Sequence, residues 1–256
     1  MAAKAPFALI HGWLGRAADW RPFLNSLGGS TSPLLIELPG HGLAEDWDES
    51  RDYADQAAEL ALDEMPSDPV PLIGHGFGAV VALKMAVERP YRVSSLVLVE
   101  PVFFAAAEGR WAHDKLMRDL APFEKRISAG ESATAVKEFH ALWGHEDWSD
   151  LSSEDRAYMM ERIRLVPPGW PLINEDRSDL LDPGRLEELD IPVTFVDGGD
   201  THPVIAEIIS TIGDRIADAE WVTVPGAGHN LPISHPDKLV EAIEGRLFPV
   251  PPRYDA

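Results

Sequence analysis

The residues whose spacing could do chemistry cluster first around position 76. In "VPLIGHGFGAVVALKMA", Val70 to Ala86, a short apolar run leads into a glycine-framed turn, and apolar residues then recur at helical spacing over Ala79 to Arg89. Strand, sharp turn and helix in that order are the setting in which G-x-S-x-G exposes a serine hydroxyl for nucleophilic attack. The centre of this turn is Gly76. Such a turn holds its central residue at positive φ, which costs a residue bearing a Cβ roughly 1–3 kcal/mol. Glycine therefore suits the backbone and supplies no nucleophile. Neither cysteine nor aspartate takes the place, which disfavours thiol chemistry and a covalent carboxylate intermediate. A proton acceptor is still present, because His229 in "VPGAGHNLPISHP" follows a glycine-rich loop and has an unperturbed pKa near neutrality.

The elements that must position these residues read as short apolar runs alternating with helical patterns. Strands are predicted over Phe7 to Ile10, Leu34 to Glu37, Val70 to Ile73, Val93 to Glu100, Val193 to Val196 and Trp221 to Val224. This alternation predicts an α/β fold with a mostly parallel sheet flanked by crossover helices, its active end at the C-terminal ends of the strands. The rhythm breaks between the fourth and fifth runs. Phe103 to about Pro183 reads as helices rich in tryptophan (Trp111, Trp143, Trp148, Trp170), which predicts a helical cap over residues 103–183 on a core of residues 1–102 and 184–256. The tail "FPVPPRYDA" reads as a proline-rich end lying loose on the surface.

Composition narrows the function classes. The 256 residues, 45% hydrophobic and 25% charged, suffice for one large core, and no apolar run approaches the roughly 18 residues of a membrane span. The formal net charge of −21 repels nucleic acid and anionic membrane, so neither is an expected partner. The absence of cysteine excludes disulfides and thiolate metal sites. Too few residues precede the first strand for a secretion signal, and cytoplasm is the default location.

Several landmarks in the right order resemble the α/β-hydrolase superfamily over nearly the whole chain. "LIHGWLGRAADW" resembles that family's oxyanion loop, "IELPGHG" its D-x-P-G-x-G turn with Glu37 in place of the aspartate, and "VPGAGHNLPISHP" the loop bearing its histidine. The first strand matches the family's third, as in shorter esterase-like and hydroxynitrile lyase-like members. The resemblance implies that His229 is the general base and that a carboxylate orients it. Asp200, in "FVDGGDTHP", stands after the strand that follows the cap, the commoner place for the acid. Glu100, in "LVLVEP", stands at the alternative place before the cap. Asp200 is preferred, and Asp197 reads as a turn residue beside Gly198. The oxyanion hole would use the main-chain amides of Trp13 and Phe77.

The remaining histidines read structurally. His11 and His41 belong to turns, His235 precedes Pro236 at a helix start, and His75 reads as a packing or hydrogen-bonding residue. His113, His140, His145 and His202 have no repeated ligand spacing, so no metal and no cofactor are expected. A pocket lined by Trp13, Phe77, Trp143 and other cap aromatics would suit a small apolar or aromatic substrate.

Three readings follow. The first is a hydrolase of a small ester, thioester or lactone whose serine is replaced by Gly76, leaving this form inactive or strongly impaired. The second is a serine-independent enzyme using His229 as base, dioxygenase-like or lyase-like. The third is a non-catalytic ligand binder. Retention of His229, the acid candidates and the His11-Gly12 loop favours the enzymes, and the interrupted hydrolase among them.

Overall fold

A computed structural model describes residues 6–29 and 33–247; residues 1–5 and the proline-rich tail lie outside the described residues. In chain order the elements are β1 (Phe7–Ile10), α1 (Arg21–Leu27), β2 (Pro33–Ile36), α2 (Tyr53–Glu64), β3 (Val70–His75), α3 (Phe77–Glu88) and β4 (Val93–Val99). There follow α4 (Trp111–Ser128), α5 (Ser132–Trp143), α6 (Ser153–Arg162) and α7 (Trp170–Glu175), then β5 (Val193–Gly198), α8 (Val204–Gly213), β6 (Ala219–Val224), α9 (Leu231–Ser234) and α10 (Pro236–Leu247).

The six strands form one sheet in the order β2-β1-β3-β4-β5-β6, every neighbouring pair parallel. The period of two along a strand distributes side chains to two cores. Phe7 and Leu9 of β1 pack with Ile73, Val97 and Val196 and with α1 and α10, through Phe23, Leu27, Leu239 and Ile243. Ala8 and Ile10 face the other way, with Leu72, Leu96 and Leu98, onto α2, α3 and α8. Because both faces are covered, the central strands read as unbroken apolar runs.

All six predicted strands are present, the first with the predicted ends and the others with shifted ends. β3 continues to His75 and β5 to Gly198, whereas β4 stops at Val99 because Glu100 adopts φ +53°. Asp197 is correspondingly a strand residue rather than a turn residue. Burial pushes its carboxyl up in pKa, and it accepts a hydrogen bond from Trp221 Nε1 at 2.9 Å.

No strand interrupts the chain between β4 and β5 among the described residues. The helices of this segment meet the core at defined points. Ser152 caps α6 by accepting from the Asp155 amide at 3.0 Å. That orients Tyr158, whose hydroxyl donates to the Gly15 carbonyl at 2.8 Å and accepts from the Gly42 amide at 2.9 Å. The Arg16 and Arg162 guanidinium groups both lie over the Tyr158 ring, 4.9 and 3.8 Å from its centroid.

Candidate active site

The turn after β3 is the sharp strand-to-helix corner expected from the sequence. Gly76 has φ +56° and ψ −118°, its amide donates to the Val99 carbonyl at 2.9 Å, and α3 begins at Phe77. A Cβ on Gly74 would lie 2.3 Å from the Gly78 carbonyl, so the close approach of strand and helix depends on a bare backbone there.

A Cβ built on Gly76 would stand 3.2 Å from His229 Nε2 and 3.6 Å from Gly12 Cα. The loop after β6 brings the imidazole there. His75 Nε2 donates to the His229 carbonyl at 2.9 Å, and the Asp200 amide donates to the Ala227 carbonyl at 2.9 Å, pinning the loop on both sides.

His229 Nδ1 lies 3.0 Å from Glu100 Oε2. A carboxylate accepting there assigns the proton to Nδ1 and leaves the Nε2 lone pair facing position 76. Glu100 is fully buried. Its left-handed φ turns the side chain beneath the end of β5, where Oε1 accepts from the Gly198 amide at 2.6 Å and Oε2 from Thr201 Oγ1 at 2.6 Å. The preference for Asp200 is therefore corrected: the carboxylate facing the imidazole is that of Glu100, while the Asp200 side chain is exposed to solvent. Asp200 takes part through its main chain, in the turn that presents Thr201.

Phe77 follows Gly76 in the chain, and Trp13 follows Gly12, whose Cα lies 3.6 Å from where a Cβ on Gly76 would stand. Phe77 opens α3, so its N–H has no carbonyl one turn earlier, and the Trp13 N–H makes no hydrogen bond among the described residues. Their side chains stack, centroids 4.5 Å apart and planes 11° from parallel. Glu37, in the position of the expected aspartate, secures the same loop: its Oε2 accepts from the Ala17 amide at 3.0 Å and lies 3.0 Å from His11 Nε2. Burial acts to raise the Glu37 carboxyl, but these contacts hold it below the usual carboxylate range.

Above the turn lies a cavity of about 60 Å³. One water needs roughly 10–15 Å³ on this measure, so the cavity accommodates an organic group. Trp13 and Phe77 line it from the core, and Phe123, Phe139, Trp143 and Trp170 from the helical segment, with no Lys, Arg, Asp or Glu on its wall among the described residues. The Trp143 ring is 4.8 Å from that of His229, and the Trp143 carbonyl accepts from Asn230 Nδ2 at 3.2 Å. Of the other tryptophans in the segment, Trp111 is exposed and Trp148 packs on His140. Sequence reasoning does not reach Thr201 or Asn230, although each is adjacent in the chain to a residue it singles out.

The sequence model of the alpha/beta hydrolase family matches residues 7–242. The chain belongs to that family. It is 28% identical over 247 residues to the pimeloyl-[acyl-carrier protein] methyl ester esterase of Aeromonas hydrophila subsp. hydrophila, covering 92% of each chain. It is 24% identical over 250 residues to the Nitrosospira multiformis enzyme of the same name, covering 92% of this chain and 91% of that one. Among solved structures it is similar in fold to MenH from S. aureus, with a TM-score of 0.73 at 18% identity over 96% of this chain and 94% of that one. Among the described residues of this alpha/beta hydrolase, no helix is long and apolar enough to cross a membrane, and no group of three or more metal-ligating side chains converges.

Proposed function

We propose that this chain carries the acyl-transfer site of a hydrolase of small esters, thioesters or lactones, with the covalent route closed at Gly76. The observation that carries the reading is the line from Glu100 through His229 to position 76: Oε2 to Nδ1 at 3.0 Å, then Nε2 3.2 Å from where a Cβ would stand. Glu100 would fix the tautomer and stabilise the imidazolium, His229 would move the proton, and the Trp13 and Phe77 amides would hold the oxyanion. Residues 103–183 act as a cap whose aromatic groups select an uncharged apolar or aromatic acyl group. Relatives named as methyl ester esterases support ester cleavage as the chemistry.

The test is a panel of uncharged short-chain esters, thioesters and lactones run on this chain and on Gly76→Ser. The serine variant is expected to turn over at least one ester and to be labelled by a fluorophosphonate. A serine variant that does neither removes the reading. A second reading is favoured by the same open approach to Nε2: His229 takes a proton directly from an acidic substrate, with no serine needed. Rapid turnover of a hydroxynitrile or an acidic heteroaromatic by the Gly76 chain, lost in His229→Ala, would establish it.

A further inference from the structure

Position 76 faces His229 on one side and Gly12 on another. A Cβ at position 76 would crowd His229 Nε2 at 3.2 Å, so the bare glycine leaves room beside Nε2 for a free oxygen at hydrogen-bond distance that keeps van der Waals distance from the Gly76 backbone. Gly12 Cα stands 3.6 Å away on one side, and the Phe77 amide follows directly in the chain. The cavity lined by Gly12, Phe77 and His229 brings a free oxygen within reach of Nε2. Nε2 is the acceptor there because Nδ1–H is engaged by Glu100. Among the described residues, no Lys, Arg, Asp or Glu on the cavity wall competes for that proton.

We infer that the space left beside Gly76 seats a free oxygen nucleophile, water or a small primary alcohol, which His229 activates for direct attack on an acyl group bound in the cavity. The inference rests on the acyl-transfer reading above and adds an activity to the glycine form itself. The nucleophile's O–H proton passes to His229 Nε2 as its oxygen bonds to the acyl carbon. The carbonyl pair moves onto the oxygen, where the Trp13 and Phe77 amides receive it. Collapse of the adduct breaks the bond to the leaving alkoxide or thiolate, which takes the proton from Nε2. Water gives the free acid and an alcohol gives a new ester, with no acyl-enzyme at any stage.

The experiment uses 4-nitrophenyl butyrate, with and without methanol, on the Gly76 chain and on His229→Gln, Gly76→Ala and Gly76→Ser. For the Gly76 chain the expectation is linear release without a burst, roughly 10³–10⁴ over buffer, indifferent to a fluorophosphonate. His229→Gln lowers that rate by about 10² or more, the span of a general base. Gly76→Ala sets a methyl 3.2 Å from Nε2, crowding the oxygen's approach, and lowers it at least tenfold, with a thermal melt confirming that the variant is folded. Methanol yields methyl butyrate in a larger share than buffer alone produces.

A rate that ignores both His229→Gln and Gly76→Ala, or a methanol share equal to that in buffer, overturns the inference. If Gly76→Ser is active and labelled in that case, the acyl-transfer reading stands without it. If Gly76→Ser is also silent, both are overturned.

Discussion

His75 and His229 are joined through one ring and one main chain: His75 Nε2 donates to the His229 carbonyl at 2.9 Å while the two rings lie 4.9 Å apart. The donor precedes Gly76 in sequence and the acceptor carries the ring that faces Gly76. Burial, with the nearby His229 ring adding to it, pushes His75 down to about 3. Burial and His11 likewise push His41 to about 3. Both are therefore neutral in the folded chain at pH values where the unfolded chain, near the ordinary 6.5, takes up protons. Stability is full above pH 6.5 and falls as pH drops below it. Between pH 6.5 and about 5, above the usual carboxylate range, each such histidine contributes a slope of up to about 1.4 kcal/mol per pH unit. Urea unfolding at pH 5, 6 and 7 should show a shallower slope for His75→Gln than for the parent; equal slopes would remove His75 as the cause.

Glu100 and Asp200 separate cleanly in a Gly76→Ser background. Glu100→Gln disturbs the tautomer that points Nε2 at position 76 and should lower kcat by about 10⁴. Asp200→Asn changes a solvent-exposed side chain and leaves the amide bond to Ala227 intact, so its effect should be within a few-fold. A severe Asp200→Asn beside a mild Glu100→Gln would reverse the assignment.

Thr201 is a positioning residue, acting on the imidazole through Glu100 Oε2. Thr201→Val removes a hydrogen bond to a carboxylate, worth about 1.5–3 kcal/mol, without changing volume much. In the Gly76→Ser background kcat should fall about tenfold and the pH profile on its acid limb should shift, with KM little altered. Thr201→Ser should recover both, and a serine variant as impaired as the valine would indicate packing as the cause.

Tyr158→Phe tests the link between α6 and the loops of the core. It deletes the bonds to the Gly15 carbonyl and the Gly42 amide, and a loss of about 1–3 kcal/mol is expected. At about 2–4 °C per kcal/mol for a chain of this size, the thermal midpoint should drop by several degrees. Because Gly15 belongs to the loop bearing Trp13, catalysis by Gly76→Ser should weaken in the same variant. An unchanged midpoint would show that the two contacts contribute nothing net.

The sheet was legible because a parallel strand covered on both faces must be apolar throughout, as in Leu72–Ile73 and Leu96 to Val99. The turn at Gly76 was legible because strand, glycines and helix are neighbours in the chain. The partner of His229 was not. The family's commoner place for the acid makes Asp200 the natural choice, and the decision for Glu100 comes from its left-handed φ and from the Gly198 amide and Thr201 hydroxyl, about one hundred residues away. Asp197 was misread for a related reason. Asp-Gly favours a turn locally, but pairing of Asp197 with Thr223 and the Trp221 bond keep it in the sheet. Tyr158 likewise acts only across distant loops.

The positive φ at Gly76 also has a bearing on inheritance. Two of the glycine codons differ from two of the serine codons by a single base, and at this backbone conformation the change to glycine relieves strain. A lineage can thus cross between a chain with a hydroxyl at this corner and one without it in one mutational step, and folding does not oppose the loss. Selection acting through abundance would leave such a step unpurged, and only selection on the reaction itself would register it.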